Sequence, residues 1–239
     1  MKATNWEFTN RALVFGLIFG LAFPLYVLDQ TNCTAALANW LGGKFNWNAD
    51  LVARALFGCA TLVLIVAALI RTWASAYLQA DVVYASEVKT QSLVADGPYR
   101  YVRNPLYFAN VLMAIGLGSM MSRLGFVAAV GAMLIFSYRL IFREEGELQA
   151  AQGEQYVRFK KAVPRLLPSP WPRIASAGRK AKWGAGFRAE SWYWGSPAGV
   201  LAFAITLNLK LFFLFLTLGI GLLWVSSRAF QKKSDSAPS

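Results

Sequence analysis

No histidine occurs anywhere in this 239-residue chain, which excludes imidazole metal ligation and histidine acid–base catalysis together. Cysteine is nearly as scarce: Cys33 and Cys59 cannot form a zinc site alone, and Cys59 lies inside an apolar run. No metal site is therefore expected. Charge is thin too, at 15% of residues, with 12 acidic side chains against 24 lysines and arginines. What fills the chain is apolar, 56% of it hydrophobic. A soluble domain of this length needs far less, so the composition points to an integral membrane protein, and its long apolar runs to an all-α one.

A spanning helix needs roughly 20 apolar residues. Five segments come near that: 12–28, 51–70, 105–121, 124–142 and 198–225. About five transmembrane helices are therefore expected, joined by a cytoplasmic amphipathic helix and an interfacial basic-aromatic segment. Asn208 and Lys210 interrupt the last run, which reads either as a tilted span or as an interfacial piece followed by a short span over 211–225. Ala36-Leu37-Ala38 resembles a signal-peptidase site, but it lies beyond an apolar run long enough to span, so the first segment is expected to be a retained helix.

The net charge of +12 would suggest nucleic acid in a soluble protein, but its distribution points to a membrane. Arg71, Lys89, Arg100 and Arg103 lie between the second and third spans, and ten basic residues from Arg143 to Arg188 lie between the fourth and fifth. The other two connections carry only Lys44 and Arg123. The positive-inside rule then places the N-terminus and both basic loops in the cytoplasm, for a protein of the bacterial inner membrane. Arg228, Lys232 and Lys233 would fall outside after five spans, and inside if 198–225 re-enters.

The densest chemistry lies in GPYRYVRNPLYF, residues 97–108. Asn104 stands where a helix N-cap belongs and Pro105 where a first helical residue belongs. Arg103 and Asn104 thus sit where free backbone N–H groups and the helix dipole favour an anion. The alternative is a helix entrance gripping lipid head groups. A second constellation, REEGELQAAQGEQYVRFKKAVPRLLP at 143–168, opens on Glu144 and Glu145. Helical spacing puts Glu144 and Leu148 on one side and Arg143 one turn from Glu147, and Pro164 and Pro168 end the helix. It reads as a cytoplasmic amphipathic helix, whose carboxylates either are simply solvated or face the arginines of the first motif. Arg139, near the end of the fourth span, must pair or snorkel.

In that order and spacing, Gly97, Pro98, Tyr99, Arg103, Pro105, Tyr107, Glu144, Glu145, Leu148, Gly153, Tyr156, Val163 and Pro164 resemble the isoprenylcysteine carboxyl methyltransferase family and its phospholipid-methyltransferase relatives. Where that family has a histidine, this chain has Asn104, which can donate or accept a hydrogen bond but cannot titrate near neutral pH. The resemblance covers roughly residues 71–168. It divides the chain into N-terminal helices (1–70), a methyltransferase-like core (71–168), an interfacial segment (169–195), a C-terminal membrane segment (196–227) and a polar tail (228–239).

The resemblance implies an S-adenosylmethionine-dependent methyltransferase, with the cofactor entering from the cytoplasm and a lipophilic acceptor from the bilayer. It makes Arg103, Glu144 and Glu145 catalytic candidates, and Arg139, as a charge within a span that must pair or snorkel, joins them as a partner for the two glutamates. It makes Tyr99, Arg103, Asn104, Pro105, Tyr107, Glu144, Glu145, Leu148 and Tyr156 cofactor-binding candidates. Arg103 would grip a carboxylate of the cofactor or the acceptor. The two glutamates would bond the ribose, the amino group or a catalytic arginine. The three tyrosines would offer ring faces, worth about 0.5 to 2 kcal/mol each toward a sulfonium, or else belong to the interfacial aromatic belt. Carboxylate O-methylation, as of a prenylcysteine-like acid, is the favoured chemistry, because an ionised carboxylate has no proton to lose whereas an amine acceptor does.

Two other readings remain: a membrane reductase using NADPH, since sterol-reductase-like proteins share a similar helix entrance, and a non-enzymatic lipid-binding protein. Arg71 and Trp73 read as head-group anchors or as the opposite wall of the pocket. The segment 171–195 interleaves Trp171, Trp183, Phe187, Trp192, Tyr193 and Trp194 with basic residues and reads as an interfacial lid on anionic lipid, given play by Gly184, Gly186 and Gly195.

Overall fold

The computed structural model describes residues 2–78 and 95–235, with side chains described to residue 222. Lys89, residues 92–94 and residues 236–239 lie outside the described residues, and the side chains of Arg228, Lys232 and Lys233 are likewise not described. Among the described residues every element is helical, and the sole strand-like pairing is an isolated bridge between Asn32 and Ser122.

Short polar side chains set the helix starts. Helix α1 (Asn5–Thr9) opens on a capping box, with Thr4 accepting from Glu7 N–H and Glu7 reaching back to Thr4 N–H. Helix α2 (Arg11–Ala22) tightens at Pro24 into a 3₁₀ turn, Phe23–Val27. Asn32 caps α3 (Cys33–Phe45), Asn48 caps α4 (Ala49–Tyr77), and Ser122 caps α6 (Arg123–Ala162). Between them, α5 (Pro105–Gly118) opens on proline. The chain ends in α7 (Trp183–Glu190), a 3₁₀ turn (Ser191–Trp194), α8 (Gly195–Thr206) and α9 (Leu209–Asp235).

Two of these helices, α4 and α6, are long and apolar enough to cross a membrane, and shorter apolar helices cover Arg11–Val27, Pro105–Gly118 and Leu209–Leu222. The fifth expected span is not one rod. Leu207 turns left-handed at φ 53°, Asn208 accepts from Lys210 N–H to start the next helix, and α8 and α9 fold back against each other as a hairpin. The expected separate amphipathic helix is also revised: α6 runs unbroken past Phe142 and is interrupted only at Gly153, whose φ 54°, ψ −130° is open to glycine alone. Only Arg143 separates Phe142 from Glu144, and with neither proline nor glycine there the change in polarity does not break the helix.

Helix α4 is the hub, packing on α3, α5, α7 and α8. Its small residues Ala67, Ala68, Ala74 and Ala76 are at most 1% exposed, which lets neighbouring backbones come close. One core joins Phe57, Leu64, Met113, Leu117, Val200 and Phe212, and a second joins Phe8, Tyr107, Phe136, Leu140 and Leu166. Outward, Leu62, Leu69, Val127, Ile135, Phe213 and Leu218 stay exposed, an apolar girdle suited to lipid.

Beyond α6 the chain returns as a strap along the turn that precedes α5. Arg103 N–H donates to Pro164 O at 2.9 Å, Ser169 N–H to Tyr101 O at 2.9 Å and Arg173 N–H to Arg100 O at 2.8 Å. Asp96, 2% exposed, fastens the strap by accepting from Ser176 Oγ at 2.6 Å and from the Ala177 and Arg179 amides at 2.9 Å each. The Ser176 hydroxyl and these amides hold the Asp96 carboxyl below its ordinary range in spite of burial.

Candidate functional site

The strap and the α5–α6 hairpin bring the two sequence motifs into contact. Glu145, 3% exposed, is the centre. Arg103 approaches it at 3.4 Å, Asn104 Nδ2 donates to it at 3.3 Å, and Arg165 Nη2 reaches it at 3.1 Å. Arg103 is itself pinned, donating through Nη1 to Lys160 O at 3.1 Å, while its buried Nε has no hydrogen-bond partner. Burial draws the Arg103 pKa down while the facing Glu145 carboxylate pushes it up, and the net direction is down. Only 7% of this guanidinium-bearing side chain is exposed.

Asn104 precedes α5, as expected of a cap, but its side chain makes no capping bond. It turns instead to Glu145 and to Arg165 O at 3.0 Å, donating through Nδ2 to a buried carboxylate rather than accepting a helix N–H through Oδ1. Pro105 is buried at the first turn beneath it.

One helical position away, Glu144 accepts from Tyr107 Oη at 2.6 Å. Tyr99, Tyr107 and Tyr156 are 8%, 7% and 2% exposed, so none belongs to an interfacial belt. Burial, with the Glu144 carboxylate nearby, raises the Tyr99 phenol well above its ordinary pKa, so it stays a neutral donor. Tyr156 packs with Phe159 and Val163, and Leu148 rests against that cluster. Arg143 pairs with Glu147 at 2.8 Å, one turn on, as the spacing predicts. Beside Glu145 a cleft of about 740 Å³ opens, bordered by Phe142, Gln149, Lys160 and Arg165.

Other candidates go elsewhere. Arg139 pairs with Glu7 at 2.7 Å rather than with Glu144 or Glu145, and holds that carboxyl down to a pKa of about 2. Arg71 is no head-group anchor. It grips Glu190 at 2.6 Å, donates to Asn110 Oδ1 at 2.6 Å and lies 5.0 Å from the Tyr193 ring, while Ser75 Oγ also donates to Glu190 at 2.6 Å. Glu190 is fully buried, so this cluster locks the 183–194 segment against α4 and α5. Trp73 meets the Tyr101 ring at 5.8 Å. Gly186 and Gly195 are contact points rather than hinges: a Cβ would stand 2.7 Å from Thr72 O and 2.7 Å from Phe215 O, respectively. Trp171, Trp183 and Phe187 do stay outside, at 71%, 50% and 49% exposure.

Sequence reasoning missed Arg165, Asp96 and Glu190. A carboxylate alone among the basic and aromatic residues of 171–195 was a signal for Glu190, since such an acid needs a cation. Arg165, directly after the Val163-Pro164 motif, was within reach of the same logic.

Comparison with known proteins agrees with the resemblance. Residues 54–155, less than half of the chain, match the family model described as phospholipid methyltransferase. The chain is 28% identical over 135 residues to the cobalt-zinc-cadmium resistance protein CzcN of Cupriavidus metallidurans, covering 56% of this chain and 59% of that one. It is 25% identical over 126 residues to the nickel-cobalt-cadmium resistance protein NccN of Alcaligenes xylosoxydans xylosoxydans, covering 53% and 56%. It is 35% identical over 91 residues to the protein-S-isoprenylcysteine O-methyltransferase of Schizosaccharomyces pombe, covering 36% and 37%. The chain thus spans little more than half the length of the first two relatives. No solved structure matches it. Over the matched residues the chain is similar to membrane methyltransferases of the isoprenylcysteine and phospholipid type.

Proposed function

We propose, with that match as premise, that the protein transfers a methyl group from S-adenosylmethionine to a lipophilic acceptor at the cytoplasmic face of the bacterial inner membrane, with carboxylate O-methylation favoured. The observation that carries this reading is the meeting of Arg103, Asn104 and Arg165 on the buried Glu145 carboxylate. The chain's residues suit the cofactor in two respects. Arg103 keeps an unpartnered buried Nε, a donor available to a carboxylate. Glu144 and Glu145 provide acceptors for hydroxyl or amino groups. The neighbouring cleft, about 740 Å³, falls in the usual size range of small-molecule pockets and would take the acceptor.

When bound, S-adenosylmethionine supplies a methyl on sulfonium, which an acceptor carboxylate oxygen takes as the carbon–sulfur pair returns to sulfur, leaving ester and neutral thioether with no proton to move. The protein's part is positioning and exclusion of water. Positioning in general supplies roughly 7 to 11 kcal/mol. Because opposite charges merge, surroundings shielded from water favour the reaction, and the buried Tyr99, Tyr107 and Tyr156 help to exclude water beside the two glutamates. The missing histidine is then no handicap: Asn104 positions Glu145 by hydrogen bond rather than shuttling a proton.

Calorimetric titration of the detergent-purified protein with S-adenosylhomocysteine, S-adenosylmethionine and NADPH tests the reading. Binding of the two adenosyl ligands without NADPH supports it, and binding of NADPH alone sinks it.

A further inference from the structure

The cleft beside Glu145 carries more positive charge than that carboxylate balances. Lys2, Lys160 and Arg165 all border it, and among the described residues lining it Glu145 is the single acid. Glu145 is moreover already engaged by Arg103 and Arg165, so it cannot also neutralise the lysines. Lys160 Nζ is held by Gln149 Oε1 at 3.1 Å, a neutral partner. The Lys2 ammonium rests over α6 at Gly146, where a Cβ would come within 2.9 Å of Nζ; the absent side chain makes room for the charge. Phe142 adds an apolar border, under the Arg165 guanidinium at 4.9 Å. None of these three cations falls within the residues that match the family model.

Cations gathered around an open cleft, short of a counter-charge, attract an anion and repel an ammonium group. We propose that Lys2, Lys160 and Arg165 are specificity-determining residues that receive the anionic head, carboxylate or phosphate, of the amphiphile this site acts on. The assignment of that amphiphile as methyl acceptor rests on the methyltransferase reading, but the anion site itself does not. Lys2 and Lys160 do not touch the reacting atoms; they select and retain the head group by charge.

The test uses the full chain in a non-ionic detergent and four probes of equal chain length: decanoate, decyl phosphate, decanol and decylamine. Decanoate or decyl phosphate should bind at least about tenfold more tightly than decanol or decylamine, as charge selection of this kind allows. The arm that binds more tightly distinguishes a carboxylate from a phosphate head. In Lys2→Gln with Lys160→Gln the anion preference should fall by about tenfold and lose its salt dependence, and Lys2→Arg with Lys160→Arg should restore it. S-adenosylhomocysteine affinity, measured on the same samples, should move less than about twofold, since one or two rim charges are screened from a separate ligand. Unchanged anion binding in the glutamine pair, or decylamine binding as well as decanoate, overturns the proposal. Absence of S-adenosylhomocysteine binding to the unsubstituted protein overturns the methyltransferase reading instead, and the probe series still decides the anion site. Lys2 is exposed, so Lys2→Gln alone keeps the test open if the pair misfolds.

Discussion

Glu145 is the residue on which the site turns, because one buried carboxylate organises Arg103, Asn104 and Arg165. Glu145→Gln keeps the shape but removes the charge that balances Arg103, and S-adenosylhomocysteine affinity should drop by at least about tenfold in calorimetry, since a hydrogen bond to a charged group is worth about 1.5 to 3 kcal/mol. Asn104 permits a sharper experiment. Asn104 carries no titrating group, so Asn104→His should add an inflection near the ordinary histidine range, about 6.5, to the pH profile of turnover, and a profile identical to that of the unsubstituted protein would mean that this position does not act on the reaction. Resemblance supplied both residues, and their burial follows from the apolar helices around them. Their bonding does not follow from pattern. Capping preference assigned Asn104 to the helix amides, while the observed partner is 41 residues away on another helix. Arg139 shows the same limit: the rule that a charge in a span must pair was sound, but its partner Glu7 lies 132 residues away, where no local spacing points.

Helices and the turns between them divide differently. Apolar runs marked α4 and α6 well, because length and composition alone decide whether a segment can span. Ends were harder. Whether α6 stopped at Phe142 depended on a change in polarity, which does not itself bend a helix, while the actual break depended on the backbone of Gly153. Gly153→Ala should therefore lower the melting temperature in detergent, with a cost of about 1 to 3 kcal/mol for a side chain forced into that region. The lock between α4 and α7 offers a larger effect. Glu190→Ala leaves Arg71 buried at 11% exposure with its carboxylate gone, which should cost about 3 to 5 kcal/mol by thermal unfolding.

For the molecule as a whole, the polar clasps outside the apolar helices set its response to acid. Glu7 is held at a pKa of about 2 by Arg139, Asp29 at about 2 by Arg123, and Asp96 is lowered by Ser176. Each folded value lies below the unfolded one, so these groups favour the fold fully above about pH 4 to 4.5, the ordinary carboxylate range, and progressively less as pH falls toward 2. Melting followed by near-ultraviolet circular dichroism should show a plateau above pH 5 and a steady loss below it. A flat profile down to pH 2 would mean that these clasps contribute nothing.

The pairing of Arg71 with Glu190 has a consequence for how the protein is made. The two residues are 119 positions apart in the chain. At ribosomal rates of about 5 to 20 residues per second, Arg71 reaches the membrane roughly 6 to 24 s before its partner exists. During that interval its charge must be tolerated by water, lipid phosphate or the insertion machinery, and α4 can settle to its final depth only when the last third of the chain has arrived. Truncation between residues 168 and 190 should therefore leave a nascent protein that carries both motifs yet inserts unstably, which makes synthesis of the 183–194 segment a late step in settling α4.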